Sequence, residues 1–221
     1  MPATLSRSPA RRLVAGVGLA LATGMVLRRM SRDFNDNTTL RPSTSTLVYA
    51  TYGAHGLATL AALWRPSHRV RLPRRAAASL GTAASVAGVG LFVAGARAFG
   101  TPDQLSGTQT GDLVTSGIYR WTRNPQYLGY LLLCGGTAMA RRSTEAGVLT
   151  AVAASAFALW IRYEEDNLTR VFGDAYARYL STTHRWLGPA TAGRFNRSVQ
   201  HQTDPMGLTV VHRRPRQGSS S

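Results

Sequence analysis

The chain has 221 residues, with 26 basic against 10 acidic residues and a net charge of +16 at pH 7. The basic side chains are all arginine and gather at the ends of long apolar runs, where such residues orient membrane spans and meet anionic headgroups. No nucleic-acid-binding module accompanies the charge, so the composition argues against a nucleic-acid partner. The single cysteine, Cys134, has no disulfide partner in the chain and is predicted to be a small core residue.

Five apolar runs follow one another along the chain. The first, residues 13–27, has arginines on both sides; no small-x-small cleavage pattern follows it, which favours a retained span over a signal peptide. The other four runs carry no charge and cover residues 42–64, 76–96, 126–140 and 146–161. The two longest can cross a hydrocarbon core of about 30 Å, and the others can cross with their ends in the headgroups. The sequence therefore predicts an all-α, polytopic transmembrane bundle of about five spans.

Small residues within two of these runs predict how the helices associate. Apolar helices in lipid pack closely where small side chains let their backbones approach. Such residues are Gly81, Ser85, Gly88, Gly90 and Ala94 in the third run, and Gly135 and Gly136 in the fourth. In the second run, His55 is predicted to be a hydrogen-bonded structural residue.

The connections between the runs predict the topology. Five spans place residues 28–45, residues 97–125 and the C-terminal tail on one side, and their arginine content makes that side cytoplasmic. The arginine-rich residues 65–75 would then lie outside, so either a span is miscounted or this loop is an exception. Residues 100–111 are interpreted as a flexible connection, and residues 191–221 as a disordered tail.

The segment LVTSGIYRWTRNPQYLG, residues 113–129, contains a predicted helix start with chemically capable neighbours. Asn124 is a favoured N-cap and Pro125 a favoured first helical residue. The positive end of that helix lies next to Arg123 and suits a carboxylate or phosphate. The aromatic residues that can line a cleft there are Tyr119, Trp121 and Tyr127. The alternative is a capped helix with an interfacial aromatic belt.

Three of the ten acidic residues are adjacent, at the end of the last apolar run: Glu164, Glu165 and Asp166. Ionisable groups at that depth are costly unless paired or solvated, which makes them functional candidates; the alternative is a charged helix end paired with Arg162. An amphipathic C-terminal helix is predicted to follow on the cytoplasmic side. One face of it would carry Leu168, Phe172, Tyr176 and Tyr179.

Together, the two segments resemble the membrane-embedded methyltransferases that include isoprenylcysteine carboxyl methyltransferases and phospholipid N-methyltransferases. The first family motif, G-x-Y-x-x-x-R-H-P-x-Y-x-G, is matched by Gly117, Tyr119, Arg123, Pro125, Tyr127 and Gly129. The second, E-E-x-x-L-x-x-x-F-G-x-x-Y-x-x-Y, is matched by Glu164, Glu165, Leu168, Phe172, Gly173, Tyr176 and Tyr179. Asn124 stands where the family most often has His. It can hydrogen-bond but is not expected to transfer a proton.

The resemblance implies S-adenosylmethionine as the cofactor and a lipophilic or membrane-partitioned acceptor, such as a phospholipid, an isoprenylcysteine carboxylate or a small thiol. It also implies an integral protein of a bacterial cell membrane with its cofactor site facing the cytoplasm. The predicted organisation is N-terminal transmembrane helices (1–100), a methyltransferase-like catalytic region (101–190) and the tail (191–221). The residues predicted to bind the cofactor are Gly117, Tyr119, Arg123, Asn124, Pro125, Tyr127, Gly129, Glu164 and Glu165.

The residue types suit methyl transfer. An in-line displacement at a sulfonium needs alignment more than a strong acid, and the cation is favoured by aromatic faces and a carboxylate. Glu165 and Arg185 are the predicted catalytic residues, with Arg185 orienting an anionic acceptor. Alternatively, Arg185 anchors the chain in the headgroups beside Trp186. No metal site is predicted.

Two other functions remain open from the sequence. A membrane NADPH-dependent reductase of the sterol-reductase type has a related Arg-His-Pro-Asn-Tyr segment, but its usual aromatic pair and following Asp are replaced here by Ile118-Tyr119 and Tyr130. A non-enzymatic membrane partner protein would retain both motifs as scaffold, and Asn124 in place of His is the feature that favours it.

Overall fold

The computed structural model describes residues 9–64 and 69–188. Its helices are α1 (Pro9–Asn37), α2 (Pro42–Trp64), α3 (Arg74–Arg97), α4 (Pro102–Leu105), α5 (Pro125–Arg141), α6 (Thr144–Phe172) and α7 (Asp174–Thr182), with a 3₁₀ turn at Gly117–Arg120. The β-structure within these ranges is one isolated bridge between Arg69 and Ser143. The predicted disordered tail, and part of the loop at residues 65–75, lie outside the described residues.

The all-α prediction is confirmed, because each of the five apolar runs lies within a long helix. Two helices in the described part, α3 and α6, are long and apolar enough to cross a membrane by length and composition. The structure thus contains two candidate spans; the predicted number of five stays a prediction.

Helices α3 and α5 form the closest pair in the bundle. A Cβ atom added to Gly88 would lie 2.6 Å from the carbonyl oxygen of Gly129, and one on Gly81 would lie 2.5 Å from that of Gly136. The predicted contact through small residues is therefore confirmed at these positions. It is wrong for Gly90, which faces open space with nothing within 4 Å of an added Cβ.

Helix α6 packs against α1, α2 and α5. Its buried Phe157 and Trp160 contact aromatic and aliphatic side chains of these helices. His55 hydrogen-bonds through Nδ1 to the Tyr130 hydroxyl at 2.7 Å and through Nε2 to the Leu149 carbonyl oxygen at 3.0 Å, as predicted for a structural histidine. Cys134 is buried, also as predicted.

The connections separate into two ends of the bundle. At one end the α1–α2 turn meets the loop after α4, where the Leu40 N–H donates to the Gly107 carbonyl oxygen at 2.7 Å. The Val70 N–H donates to the Arg142 carbonyl oxygen at 2.9 Å in the other set of connections. The α1–α2 turn and the connection between α3 and α5 therefore lie at the same end of the bundle. The side of a membrane that this end faces stays a prediction.

The polypeptide after the acidic cluster does not form the single amphipathic helix that the sequence predicts. Helix α6 continues through the cluster to Phe172, and a separate helix, α7, begins at Asp174. Gly173 lies between them with φ of +49°, which is outside the range of an α-helix. Glycine adopts this backbone conformation easily because it has no side chain.

Candidate functional site

A partly open cavity of about 230 Å³ lies where the N-terminus of α5 meets the C-terminal half of α6. Helix α7, the α1–α2 turn and the segment around α4 complete its walls. Among the polar side chains of its lining are Arg123, Asn124 and Tyr127 at the start of α5 and Glu164, Glu165 and Asn167 on α6. The two sequence motifs thus meet at one cavity.

The start of α5 is where the sequence predicts it, with Asn124 at the N-cap position and Pro125 as the first helical residue. The prediction that the Asn124 side chain caps this helix is wrong. Its Nδ2 donates instead to the Arg185 carbonyl oxygen at 2.9 Å, while its backbone N–H donates to Oγ1 of Thr122 at 3.1 Å. Because the side chain is committed to the segment after α7, it ties that segment to α5.

Glu165 lies between two arginines that are distant in sequence. Arg123 donates to Oε1 of Glu165 from Nε at 3.2 Å and from Nη2 at 2.8 Å, and also to the Thr183 carbonyl oxygen from Nη1. Arg185 donates to Oε1 from Nε at 3.2 Å and to Oε2 from Nη2. These hydrogen bonds to Glu165 raise the pKa of the Arg185 guanidinium. The cluster joins α5, α6 and the segment after α7.

Glu164 has a different set of partners. Its Oε1 accepts hydrogen bonds from the Tyr127 hydroxyl at 2.7 Å and from Nε1 of Trp160 at 3.1 Å. Both donors are neutral. In the part of the chain that the structure describes, no basic side chain forms an ion pair with Glu164. The cavity wall therefore contains an acidic side chain whose hydrogen-bond partners in the described part of the chain are neutral.

Three buried tyrosines also line the cavity: Tyr119, Tyr176 and Tyr179. The Tyr179 hydroxyl donates to the Tyr119 carbonyl oxygen at 2.7 Å, and the Tyr119 ring meets Phe99 edge-on at 6.0 Å. Burial raises the pKa of Tyr119, Tyr176 and Tyr179, so these hydroxyls stay neutral at pH 7. Although the predicted amphipathic helix is broken, its apolar face does line the cavity.

Several predicted site residues lie away from the cavity lining. Gly117 lies in an exposed turn with φ of +60°, and Trp121, predicted to line the cleft, is 54% exposed outside it. Pro125 and Gly129 pack against α3, where their close neighbours are Gly95 and Gly88. These contacts position α5. The cofactor-binding roles of Gly117, Pro125 and Gly129 stay predictions, because none of the three residues lines the cavity.

Arg185, one of the two predicted catalytic residues, is also absent from the cavity lining. Its side chain is 39% exposed and pairs with Glu165, the other predicted catalytic residue. Glu165 does line the cavity, but both of its oxygens accept from arginines. In this structure Arg185 contacts Glu165 and does not line the cavity. The catalytic roles of Glu165 and Arg185 stay predictions.

Sequence reasoning missed two walls of the cavity. One is the end of α1 with the α1–α2 turn, which contributes Phe34, Thr38 and Thr39. The other lies in residues 100–111, the stretch interpreted as a flexible connection. That stretch contains α4, whose first turn is capped by Thr101 accepting from the Gln104 N–H at 3.1 Å. The Thr101-Pro102 pair, a favoured cap followed by a favoured first residue, was the available signal for that helix.

Comparison with protein families finds one match within this chain: the phospholipid methyltransferase family, over residues 77–175. The matched stretch runs from α3 into the start of α7 and contains all of the first motif and most of the second. A comparison with curated proteins finds no match. The family match confirms the resemblance to membrane methyltransferases and supports methyltransferase activity.

Proposed function

We propose that this chain is an S-adenosylmethionine-dependent methyltransferase of a lipophilic or membrane-partitioned acceptor, with the cofactor bound in the 230 Å³ cavity. The observation that carries the proposal is Glu164, an acidic side chain in the cavity wall that two neutral donors hold and that forms no ion pair within residues 9–64 and 69–188. A cationic ligand would complete its electrostatic environment, because a partly buried carboxylate is stabilised by an opposite charge. The phospholipid methyltransferase match supports the reaction class.

The residues in the cavity suit the separate parts of this cofactor. When bound, S-adenosylmethionine supplies a methyl group on a sulfonium cation. Glu164 and the ring of Tyr127 would stabilise that positive charge. Arg123 retains a second hydrogen on each terminal nitrogen beside its bonds to Glu165 and Thr183, and together with the positive end of α5 it would bind the carboxylate of the cofactor.

A second cleft, of about 40 Å³, supports a route for the acceptor. Its lining includes Thr23 of α1, His55 of α2, Tyr130 of α5 and Trp160 of α6, so it lies among these four helices. Trp160 lies between the two spaces. Its side chain lines this cleft, and its indole N–H donates to Glu164 in the wall of the first cavity. We propose this cleft as the approach for the acceptor, because an in-line displacement needs the nucleophile on the side of the methyl group away from the sulfur.

The same geometry supports a cytoplasmic orientation of the cofactor site. The cavity walls include the end of α1, the α1–α2 turn and the connection between α3 and α5, and these segments contain Arg32, Arg41, Arg120 and Arg123. Basic loops face the cytoplasm in membrane proteins. The acceptor atom is proposed only as a nucleophile on a membrane-partitioned molecule, for example a phospholipid amine, an isoprenylcysteine carboxylate or a small thiol.

Isothermal titration of the detergent-purified protein with S-adenosylmethionine and, separately, with NADPH tests the cofactor. We expect saturable binding of the first and no heat from the second. Binding of NADPH alone would replace the proposal with a reductase, and binding of neither would favour a non-enzymatic protein.

The acceptor is tested by incubating the protein with methyl-labelled S-adenosylmethionine and a lipid extract of the native membrane. We expect label to appear in an organic-phase product that is absent when boiled protein is used. Label confined to water-soluble products would contradict a lipophilic acceptor while leaving the cofactor in place.

A further inference from the structure

Asn167 lines the cavity with a hydrogen-bond acceptor that no group in the described part of the chain satisfies. Within the described ranges, its Oδ1 is the one buried side-chain nitrogen or oxygen that has no hydrogen-bond partner. The residue is 6% exposed and belongs to the cavity lining. A buried polar atom without a partner costs free energy, so an atom of this kind in a cavity wall points to a ligand that donates to it.

The orientation of this amide is fixed by the hydrogen bond that its nitrogen donates. Its Nδ2 donates to the Thr38 carbonyl oxygen at 2.9 Å, which links α6 to the turn between α1 and α2. Because a carbonyl oxygen only accepts, the amide nitrogen must face Thr38 and the oxygen must be the unpartnered atom. Thr38 itself has φ of +59°, a conformation that a bonded partner helps to hold. Asn167 therefore presents a fixed acceptor.

The surroundings of Asn167 indicate which part of a ligand it would meet. It lies three residues after Glu164 on α6, so the two side chains are neighbours on the helix surface. On α6 and the end of α1 the lining also has the apolar side chains of Phe34, Leu168 and Val171, with Thr38 and Thr39 beside them. A flat, weakly polar ring with an N–H donor at its edge suits this combination of apolar walls and one acceptor.

We propose that Oδ1 of Asn167 accepts a hydrogen bond from the exocyclic amino group of the cofactor's adenine and so makes the site selective for adenine. This inference rests on the proposed function and extends it by assigning a specificity-determining residue. Asn167 takes no part in the displacement itself. Its role is to choose the base and to fix the end of the cofactor remote from the methyl group.

The test is a binding measurement that combines a protein variant with a ligand variant. Titrations compare S-adenosylhomocysteine with its 6-deamino analogue, in which purine replaces adenine, for the wild type and Asn167→Leu. Leucine has nearly the same shape but offers no acceptor; Asn167→Ala replaces it should the leucine variant not fold. The matched control is Asn37→Leu, the same exchange at an exposed position at the end of α1.

We expect the wild type and Asn37→Leu to prefer the adenine ligand by about tenfold or more, because the analogue leaves the buried acceptor unpaired. In Asn167→Leu the preference should fall to within roughly twofold, since neither ligand then meets an acceptor. A preference that persists in Asn167→Leu, or none in the wild type, would overturn the inference while leaving the cofactor assignment intact. Failure of the wild type to bind either ligand would contradict the proposed function and this inference with it.

Discussion

Glu164 and Glu165 are adjacent in the sequence, line the same cavity and yet have opposite electrostatic environments. Glu165 is held by two guanidinium groups, whereas the side-chain donors to Glu164 among the described residues are a phenol and an indole. The difference separates two tasks. Glu165 is paired with cations of the protein itself, and Glu164 is placed where a cationic ligand can pair with it.

The geometry of the helix explains how neighbours can differ so much. Successive residues of an α-helix point about 100° apart. Glu165 therefore faces Arg123, just before α5, and Arg185, just after α7, while Glu164 faces Tyr127 within α5 and Trp160 one turn back on α6. On α6, Glu165 therefore holds two chain segments through their arginines, while Glu164, the residue before it, is available to a ligand in the cavity.

The largest expected effect comes from removing the buried arginine of the Glu165 cluster. Arg123→Met should lower the free energy of unfolding by about 3–5 kcal/mol, because it removes a buried ion pair and leaves Glu165 with one partner. The side chains of Arg123 and Glu165 are only 11% and 12% exposed. Thermal or denaturant unfolding of the detergent-solubilised protein measures the change.

Arg185→Met is the matched control for that variant. Since the Arg185 side chain is 39% exposed, its loss should cost about 1 kcal/mol or less. Equal destabilisation by the two variants would show that Glu165 is not held chiefly by Arg123. It would contradict the structural role given to Glu165 in the comparison with Glu164.

An intermediate effect is expected where α5, which carries Tyr127, packs against α3. Gly88→Ala should destabilise the protein by roughly 1–3 kcal/mol, because its Cβ would lie 2.6 Å from backbone atoms of Gly129 and Leu133. Gly90→Ala, two residues away and facing open space, should instead be neutral or stabilise by up to about 1 kcal/mol. Unfolding midpoints of the pair check the opposite signs; the same sign for both would argue against close α3–α5 packing.

The smallest expected effect concerns the environment of Glu164 itself. Tyr127→Phe removes one of its two neutral donors and should cost about 0.5–1.5 kcal/mol of stability, since Trp160 still donates. Tyr163→Phe, on the same helix as Glu164 but more exposed, is the control and should change nothing measurable. If both variants behave as wild type in unfolding, the Tyr127 hydroxyl does not support Glu164.

The sequence predicted much of the fold because its signals are local. Uncharged runs predicted the long helices, and the Asn124-Pro125 pair predicted the start of α5. It also predicted that residues around Arg123 and Glu164 would form one site. It did not predict the break at Gly173, where a helical apolar pattern continues across a residue with positive φ.

The remaining parts of the site depend on tertiary contacts that no local pattern encodes. The Asn124 side chain does not cap α5 and instead donates to the Arg185 carbonyl oxygen, which is 61 positions away in the sequence. Thr38 and Asn167 are 129 positions apart and meet only in the folded bundle. The division of labour between Glu164 and Glu165 likewise follows from where α5 and α7 end in space, which the Glu-Glu motif does not specify.

The central claim is that the charge of Glu164 serves a cationic ligand, and the affinity ratio of S-adenosylmethionine to S-adenosylhomocysteine tests it most directly. The two ligands differ by the methyl group and its positive charge. Glu164→Gln keeps an oxygen for Tyr127 and Trp160 but loses the charge, and Asp166→Asn makes the same exchange at the exposed end of the acidic cluster.

We expect Glu164→Gln to weaken binding of the sulfonium ligand by about 10- to 100-fold and that of the neutral thioether by much less, with Asp166→Asn equal to wild type. An unchanged affinity ratio in Glu164→Gln would contradict the assignment of this carboxylate to the cofactor cation.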